Sequence, residues 1–341
     1  MRGIEVDRVD AWLRANIEGL SGPFAYELIA GGHSNLTYRV TAGDGRRVVL
    51  RRPPLGHVLE SAHDMAREHK IISAVGRTGV PVPRTLGLCT DVEVNGAPFY
   101  VMDFVDGVVL DSQLKAQGLA PDVRRSLAFD LVDVLAELHA VDIDAVGLGD
   151  LAKRGGYVER QLARWSKQWE NSKTRELPAI EEVRTRLAAQ MPVQQGVTIA
   201  HGDYRLGNCL SDVTTGRIAA VLDWELCTLG DPLADVGYLG VYWCDPGEEQ
   251  TRTNDPSGLP GFPYYQELVD RYAARTGRDT SEIDYYRAFS SFRLAVISEG
   301  VYARYLHGVM GDADPEQVAG FKAGVERLAE SALAAVRRLG A

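Results

Sequence analysis

Asp203, Asn208 and Asp223 are the residues whose types and spacing could carry a reaction. They fall in residues 199–225, IAHGDYRLGNCLSDVTTGRIAAVLDWE, between apolar runs. The pattern is His-x-Asp-x-x-x-x-Asn, followed by an Asp at the end of an apolar strand. Moving a phosphoryl group from ATP gives a protein little covalent work, so catalysis there is positioning and charge stabilisation. Mg2+ asks for hard oxygen ligands and takes only a few from the protein. Asn208 supplies an amide oxygen for such an ion and Asp223 a carboxylate. Asp203, five residues before Asn208 and twenty before Asp223, is then the group that orients an acceptor hydroxyl and takes its proton.

Plainer readings compete with this one. An isolated Asp-x-x-x-x-Asn is most often a pair of turn formers. The strand-end Asp223 and the organisation upstream weigh against that. His201 suits a bracing role, because Mg2+ prefers oxygen to imidazole. Glu225 reads equally well as a carboxylate beside the metal or as a surface residue.

These side chains need elements to hold them. A loop and a tight hairpin, with strands GNCLSD and IAAVLDWE carrying Asn208 and Asp223, bring the three oxygens to one side. Upstream, residues 24–31, 36–43 and 46–54 read as strands separated by Gly-rich turns. Residues 59–79 read as a helix that ends at a Gly, and VPVPRTLGLCTD and PFYVMDFVDG as two more strands. The expectation is a small antiparallel sheet with one helix packed on it. Before it, residues 1–20 read as an amphipathic helix with Asp7 as its cap and Trp12, Leu13 and Ile17 on one face.

After Leu110 the pattern turns helical. Residues 121–142 begin at a Pro and keep an apolar stripe at Leu127, Leu131, Val134, Leu135 and Leu138. Further helices are expected at 157–169, 180–190, 264–275, 284–307 and 315–339, and a Pro/Gly-rich loop at 244–263. His139, near a helix end, reads as a core or capping residue. Asp231-Pro232 suits a helix start. The organisation predicts an α+β chain of two lobes. Residues 1–105 are expected to form one lobe, built on the sheet, and 106–341 a helical one, with a ligand cleft between them.

Bulk properties exclude several classes. The chain has 341 residues, long for one hydrophobic core, with 45% apolar and 25% charged residues. Its formal net charge of −10 lacks the basic face of a nucleic-acid binder. The four cysteines form no Cys-x-x-Cys pair and read as reduced thiols. No apolar run approaches bilayer-spanning length, and the first residues show no apolar signal-peptide core. The expectation is a cytoplasmic protein that acts on a small molecule, with neither nucleic acid nor membrane as partner.

The stretch HGDYRLGN, then VLDWE, then GDPLADVGYL resembles the aminoglycoside phosphotransferase and choline kinase-like family of the protein-kinase-like superfamily. It is most similar to the subgroup found alone in bacteria or fused to acyl-CoA dehydrogenases. Protein kinases read His-Arg-Asp and Asp-Phe-Gly where this chain has His-Gly-Asp and Asp-Trp-Glu. The resemblance implies ATP and Mg2+ as cofactors and a kinase-like bilobal fold, with residues 1–105 the nucleotide-binding lobe and 106–341 the helical lobe for catalysis and acceptor binding. It implies a phosphate-covering loop at residues 31–35, with Gly32, Ser34 and Asn35 offering backbone to phosphate. It implies Arg51 where the family usually has Lys, paired with Glu68 on the following helix. Arg is always charged and holds phosphate bidentately, yet the two residues are not interchangeable. The Asp103 carbonyl and the Val105 N–H are implied as adenine contacts. Asp235 is implied to hydrogen-bond back to the catalytic loop.

The acceptor wall is less sharply marked. In residues 155–169, Arg160, Arg164 and Trp165 stand together, and in 292–308 Arg293, Glu299 and Arg304 do. A packed amphipathic helix explains them as well as an acceptor site does. As a site, their basic character suits an anionic acceptor such as a hydroxyacyl thioester of coenzyme A better than a polycationic aminoglycoside. Two other functions remain in view: a catalytically silent kinase-like protein that binds nucleotide or metabolite, and an aminoglycoside-modifying kinase. An acyl-CoA dehydrogenase is disfavoured, since no flavin-binding pattern is apparent.

Overall fold

The computed structural model describes residues 1–30, 35–55, 64–247, 255–308 and 314–339. In chain order, α1 (Val6–Asn16) precedes β1 (Phe24–Ala30), β2 (Leu36–Ala42) and β3 (Arg47–Arg52). Next come α2 (Met65–Val75), β4 (Thr85–Cys89), the short α3 (Val92–Asn95) and β5 (Phe99–Asp103). The five strands form one antiparallel sheet in the order β1-β2-β3-β5-β4. Beyond it lie α4 (Gln113–Ala116), α5 (Pro121–His139), α6 (Tyr157–Ser172), α7 (Pro178–Ala189) and β6 (Thr198–Ala200). They are followed by β7 (Cys209–Asp212), β8 (Arg217–Val221), β9 (Thr228–Gly230), α8 (Leu233–Val241), α9 (Tyr265–Thr276), α10 (Ile283–Leu306) and α11 (Pro315–Arg338). β6 pairs with β9 and β7 with β8, both antiparallel. This is the expected α+β, kinase-like architecture.

Alternation along the strands explains the layers, because successive side chains point to opposite faces. Tyr38, Val40, Val48, Leu50, Phe99 and Val101 share a buried cluster with Val9, Leu13 and Ile17 from the N-terminal region. The intervening residues Val49, Tyr100 and Met102 pack with Ile71, Ile72 and Val75 of α2 and with the larger helical core. The sheet is thus covered on both faces, not by one helix as expected from the strand pattern. Each fully buried side chain of this size contributes about 1.5–3 kcal/mol. Asp7 lies inside the first turn of α1 instead of capping it, and Glu5 holds the cap position without a side-chain bond. An acid in that turn still faces the positive end of the helix dipole.

Strand register places one row of residues for the site. Thr37 pairs with Arg51 across β2 and β3, and Arg51 with Tyr100 across β3 and β5. Directly opposed residues lie on the same face, so the row faces α2. Past β5, Val108 exchanges two backbone bonds of 2.9 Å with Ser211, which ties the crossover to the β7–β8 hairpin. Of the loop expected at 244–263, residues 248–254 lie outside the described residues. The remainder is anchored by bonds from Arg124 to the Pro260 carbonyl (2.6 Å) and from Trp243 to the Pro263 carbonyl (3.0 Å). Among the described residues, no helix is long and apolar enough to cross a membrane.

α10 is buried nearly all round, as befits a central core helix. α8 meets it at Gly237, where an added Cβ would stand 2.5 Å from the backbone carbon of Tyr286. Gly→Ala inside a helix normally gains up to about 1 kcal/mol in propensity. Here the obstacle is backbone, and overpacking of this kind costs about 1–3 kcal/mol. Gly237→Ala is therefore expected to destabilise the fold, read as a lower urea midpoint; an unchanged or higher midpoint would contradict the packing.

Candidate active site

The loop between β6 and β7 is built around Asp235 in the first turn of α8. Its carboxylate accepts from the backbone N–H of His201 (2.7 Å) and of Gly202 (2.8 Å), and sits 3.2 Å from Nε2 of His139. His139 bonds Tyr272 through its other nitrogen at 2.7 Å. Burial pushes the Asp235 carboxyl up, but the His139 contact, the nearby His201 and the Gly202 N–H hold it below the usual carboxylate range. Gly202 has φ +83°, and a Cβ there would stand 2.8 Å from the Leu226 carbonyl oxygen, so only glycine fits.

His201 is wholly buried and bonded within the loop. Its Nδ1 accepts from the Asp203 N–H at 3.2 Å and its Nε2 donates to the Leu222 carbonyl at 2.9 Å. Asp203 is then held at both oxygens. Nδ2 of Asn208 donates to Oδ2 (2.5 Å) and to the Asp203 carbonyl (2.8 Å), while Nε of Arg205 stands 3.4 Å from Oδ1. Asn208 closes a 3-10 turn before β7, and Asp223 lies two residues past β8. Both therefore sit at the open ends of the hairpin, not within its strands as expected. A bond of 2.8 Å from the Leu222 N–H to the Asn208 carbonyl joins those ends. Asp223 has φ 65°, the only non-glycine with positive φ among the described residues. Asp tolerates that region better than most residues, at a cost of about 1–2 kcal/mol.

Arg51 reaches Asp223 from the sheet. Its Nη2 lies 2.6 Å from Asp223 Oδ1 and 3.9 Å from Glu225 Oε2, its Nε 3.0 Å from Glu68 Oε2, and its Nη1 3.3 Å from Thr37 Oγ1. The Tyr100 hydroxyl donates to Glu68 at 3.0 Å. Asn35 Nδ2 donates to Glu68 (2.9 Å) and Glu225 (3.2 Å), and Asn35 Oδ1 is buried with no partner among the described residues. Burial works against the charge of Arg51, but Glu68, Tyr100, Asp223 and Glu225 together hold its pKa well above the ordinary value. Burial pushes the Glu68 carboxyl up against the pull of Arg51 and Tyr100, so its charge depends on that pair. A lysine would offer one nitrogen at this position. The fork of Arg51 hydrogen-bonds three side chains at once, Glu68, Thr37 and Asp223, with Glu225 a longer ion pair.

The remaining sequence candidates divide. Gly32 and Ser34 lie outside the described residues. Asp103 ends β5 opposite Val48 with its side chain on Arg84, and Val105 follows it, half-buried. Trp165, Glu225 and Arg293 line one cavity of about 400 Å3, whose wall also includes Gly202 and Glu68. Arg160 does not line it and donates to the Lys153 carbonyl at 2.8 Å. Glu299 is wholly buried and accepts from the Thr174 N–H (2.7 Å) and Arg175 (3.0 Å), joining the end of α6 to α10. Arg304 lines a separate depression with Lys173 and His307. The structure adds Arg205, which stood two positions after Asp203 in the loop under scrutiny. It also adds Arg67, one helical turn from Asp64, while Arg164, named with Arg160 and Trp165 from the sequence, lines the same cavity as Trp165.

The donor set fits Mg2+. Asn208 uses its amide nitrogen internally, leaving the amide oxygen to meet a cation, and Asp223 brings a carboxylate. Among the described residues, no group of three or more His, Cys, Asp or Glu could hold a metal alone. Two hard oxygens completed by substrate phosphates is the arrangement Mg2+ favours over an all-protein cage.

A five-stranded sheet with a helix on its inner face, followed by a helical body, defines a kinase-like fold. Comparisons give the family. The model of the phosphotransferase enzyme family (APH) matches residues 25–283. Acyl-CoA dehydrogenase family member 10 of Mus musculus is 37% identical over 302 residues, covering 87% of this chain but 28% of that protein. The chain thus spans less than a third of that relative's length. A crystal structure from Ralstonia eutropha, assigned provisionally to the aminoglycoside phosphotransferases, is 35% identical with a TM-score of 0.83 and 98% of each chain covered. An aminoglycoside phosphotransferase in complex with AMP-PNP and hygromycin B shares the fold at 16% identity and a TM-score of 0.60, over 95% of this chain and 98% of that one. The chain belongs to the phosphotransferase enzyme family.

Asp235→Asn should cost about 2–4 kcal/mol at neutral pH, since an amide oxygen cannot serve both N–H donors and His139. The sign with pH follows from the depressed carboxyl. Its stabilisation is full above the unfolded carboxylate value of about 3.9 and is lost as pH falls through the lower folded value. The stability gap between wild type and variant, read by urea unfolding, should shrink below about pH 4. A gap that widened there would contradict this bonding.

Proposed function

We propose that this chain transfers the γ-phosphoryl group of ATP to a hydroxyl of a small molecule, with Mg2+, between residues 1–105 and 106–341. The observation that carries the reading is one continuous set of contacts. It runs from Glu68 through Arg51 to Asp223, and from Leu222 through Asn208 to both backbone and carboxylate of Asp203. The related fold that holds AMP-PNP with an antibiotic supports nucleotide use.

In this reading Asp203 accepts the acceptor hydroxyl's proton at its carboxylate, with Asn208 and Arg205 fixing the direction of its two oxygens. Arg51 turns its fork toward phosphate oxygens, and Glu68 keeps it in place. Asn208 and Asp223 hold Mg2+, which supplies charge neutralisation for the phosphate oxygens. The Asp103 carbonyl and Val105 N–H meet the adenine edge, and Gly32, Ser34 and Asn35 cover the phosphates. The name of the mouse relative supports screening a hydroxyacyl thioester of coenzyme A first as acceptor. A second reading, a nucleotide or metabolite binder without turnover, draws on the 2.6 Å contact that already engages Asp223 with Arg51.

An acceptor screen by ADP release separates the two readings. Asp203→Ala should lower turnover by about 10²–10⁴-fold while nucleotide still binds. Near-normal turnover would remove Asp203 from the chemistry. Asp223→Ala should abolish the Mg2+-dependent part of nucleotide affinity, measured by calorimetry with and without the ion. Unchanged affinity would end its metal role.

A further inference from the structure

The cavity of about 400 Å3 beside the catalytic loop is lined by residues of α2 and α6, by residues 225–228 and by Arg293 of α10. Gly202, directly before Asp203, forms part of its wall. Its charges are segregated. Glu68 and Glu225 face Arg51 and Asn35, and Asp64 caps α2 through the Arg67 N–H at 2.9 Å. Arg67 itself donates to the Cys227 carbonyl. On the other side, two guanidinium groups stand over the ring of Trp165, Arg164 at 5.1 Å and Arg293 at 5.5 Å from its centroid.

Among the described residues, neither of these arginines is ion-paired to a carboxylate. Arg293 is 8% exposed, and its Nη2 donates to the Gly202 carbonyl at 2.8 Å. Its Nε is buried with no partner among the described residues. A buried donor without an acceptor costs about 1–3 kcal/mol, more when charged. Ligand oxygen is the chemistry that offsets such a cost, and a guanidinium meets a carboxylate or phosphate with two parallel bonds.

We propose that Arg164 and Arg293, flanking Trp165, seat an anionic group of the acceptor, a carboxylate or a phosphate, beside Asp203. The proposal rests on the phosphotransferase reading for its term acceptor; the anion seat itself does not. Arg293 also fixes the carbonyl before Asp203, so charge recognition and the catalytic loop share one side chain. A polycation would meet two unpaired positive charges on this wall.

The test uses the full chain as wild type and as Arg164→Glu, Arg160→Glu and Trp165→Phe. Each is titrated with sodium malonate and with inorganic phosphate against KCl at matched ionic strength, with and without AMP-PNP and Mg2+, while tryptophan fluorescence is followed. Wild type should give a saturable change that KCl does not. Trp165→Phe should lose that change, Arg164→Glu should bind about tenfold or more weakly, and Arg160→Glu should match wild type. The tighter of the two anions tells carboxylate from phosphate. A wild-type response equal to that of KCl overturns the proposal, as does Arg164→Glu binding like wild type or Arg160→Glu weakening equally. AMP-PNP binding on the same samples is read separately: its absence from wild type counts against the phosphotransferase reading, while the anion curves still judge the seat.

Discussion

Among the described residues, Arg51 is the one cation that ties the sheet to the end of the β7–β8 hairpin. It stands on β3 between Thr37 and Tyr100, bonds Glu68 on α2, and reaches Asp223 beyond β8. Glu68 is 2% exposed. A buried carboxylate stripped of its partner costs about 3–5 kcal/mol, so the position of α2 depends on this guanidinium. Asp223 depends on it too, because its left-handed backbone is held where Arg51 meets the side chain. Asp235 plays the same part for the loop between β6 and β7, where it fixes the backbone donors of His201 and Gly202.

Much of this was legible in the sequence. Strand alternation and helical stripes are long-range repeats, and the five sheet strands and the large helices fell close to their expected places. The elements that were missed, α3, α4, β6 and β9, span three or four residues each. No periodicity is visible at that length. The second cover of the sheet was hidden for another reason. α1 was legible as an amphipathic helix, but which face it would cover depends on tertiary packing. Asp203, Asn208 and Asp223 could be found because their spacing is local. Glu299 and Arg304 looked equally eligible, since sequence does not distinguish a buried internal ion pair from an open pocket wall. Arg205 was visible two residues from Asp203, yet only the fold brings it to the carboxylate.

The fold persists at 16% identity in a protein that holds hygromycin B. The match spans 95% of this chain. The wall of Trp165, Arg164 and Arg293 lies on α6 and α10, outside the loop around Asp203. One fold can carry different binding sites on the side chains that line it.

The central claim is that Arg51 serves Glu68 and Asp223 together, and that Asp223 must exchange this contact for a metal-bearing nucleotide. A crystal structure with AMP-PNP and Mg2+ tests it most directly. The account predicts that Arg51 keeps Glu68, now 3.0 Å away, while its 2.6 Å contact with Asp223 opens and Asp223 turns to the metal. An Arg51–Asp223 contact unchanged with nucleotide and Mg2+ bound would contradict it.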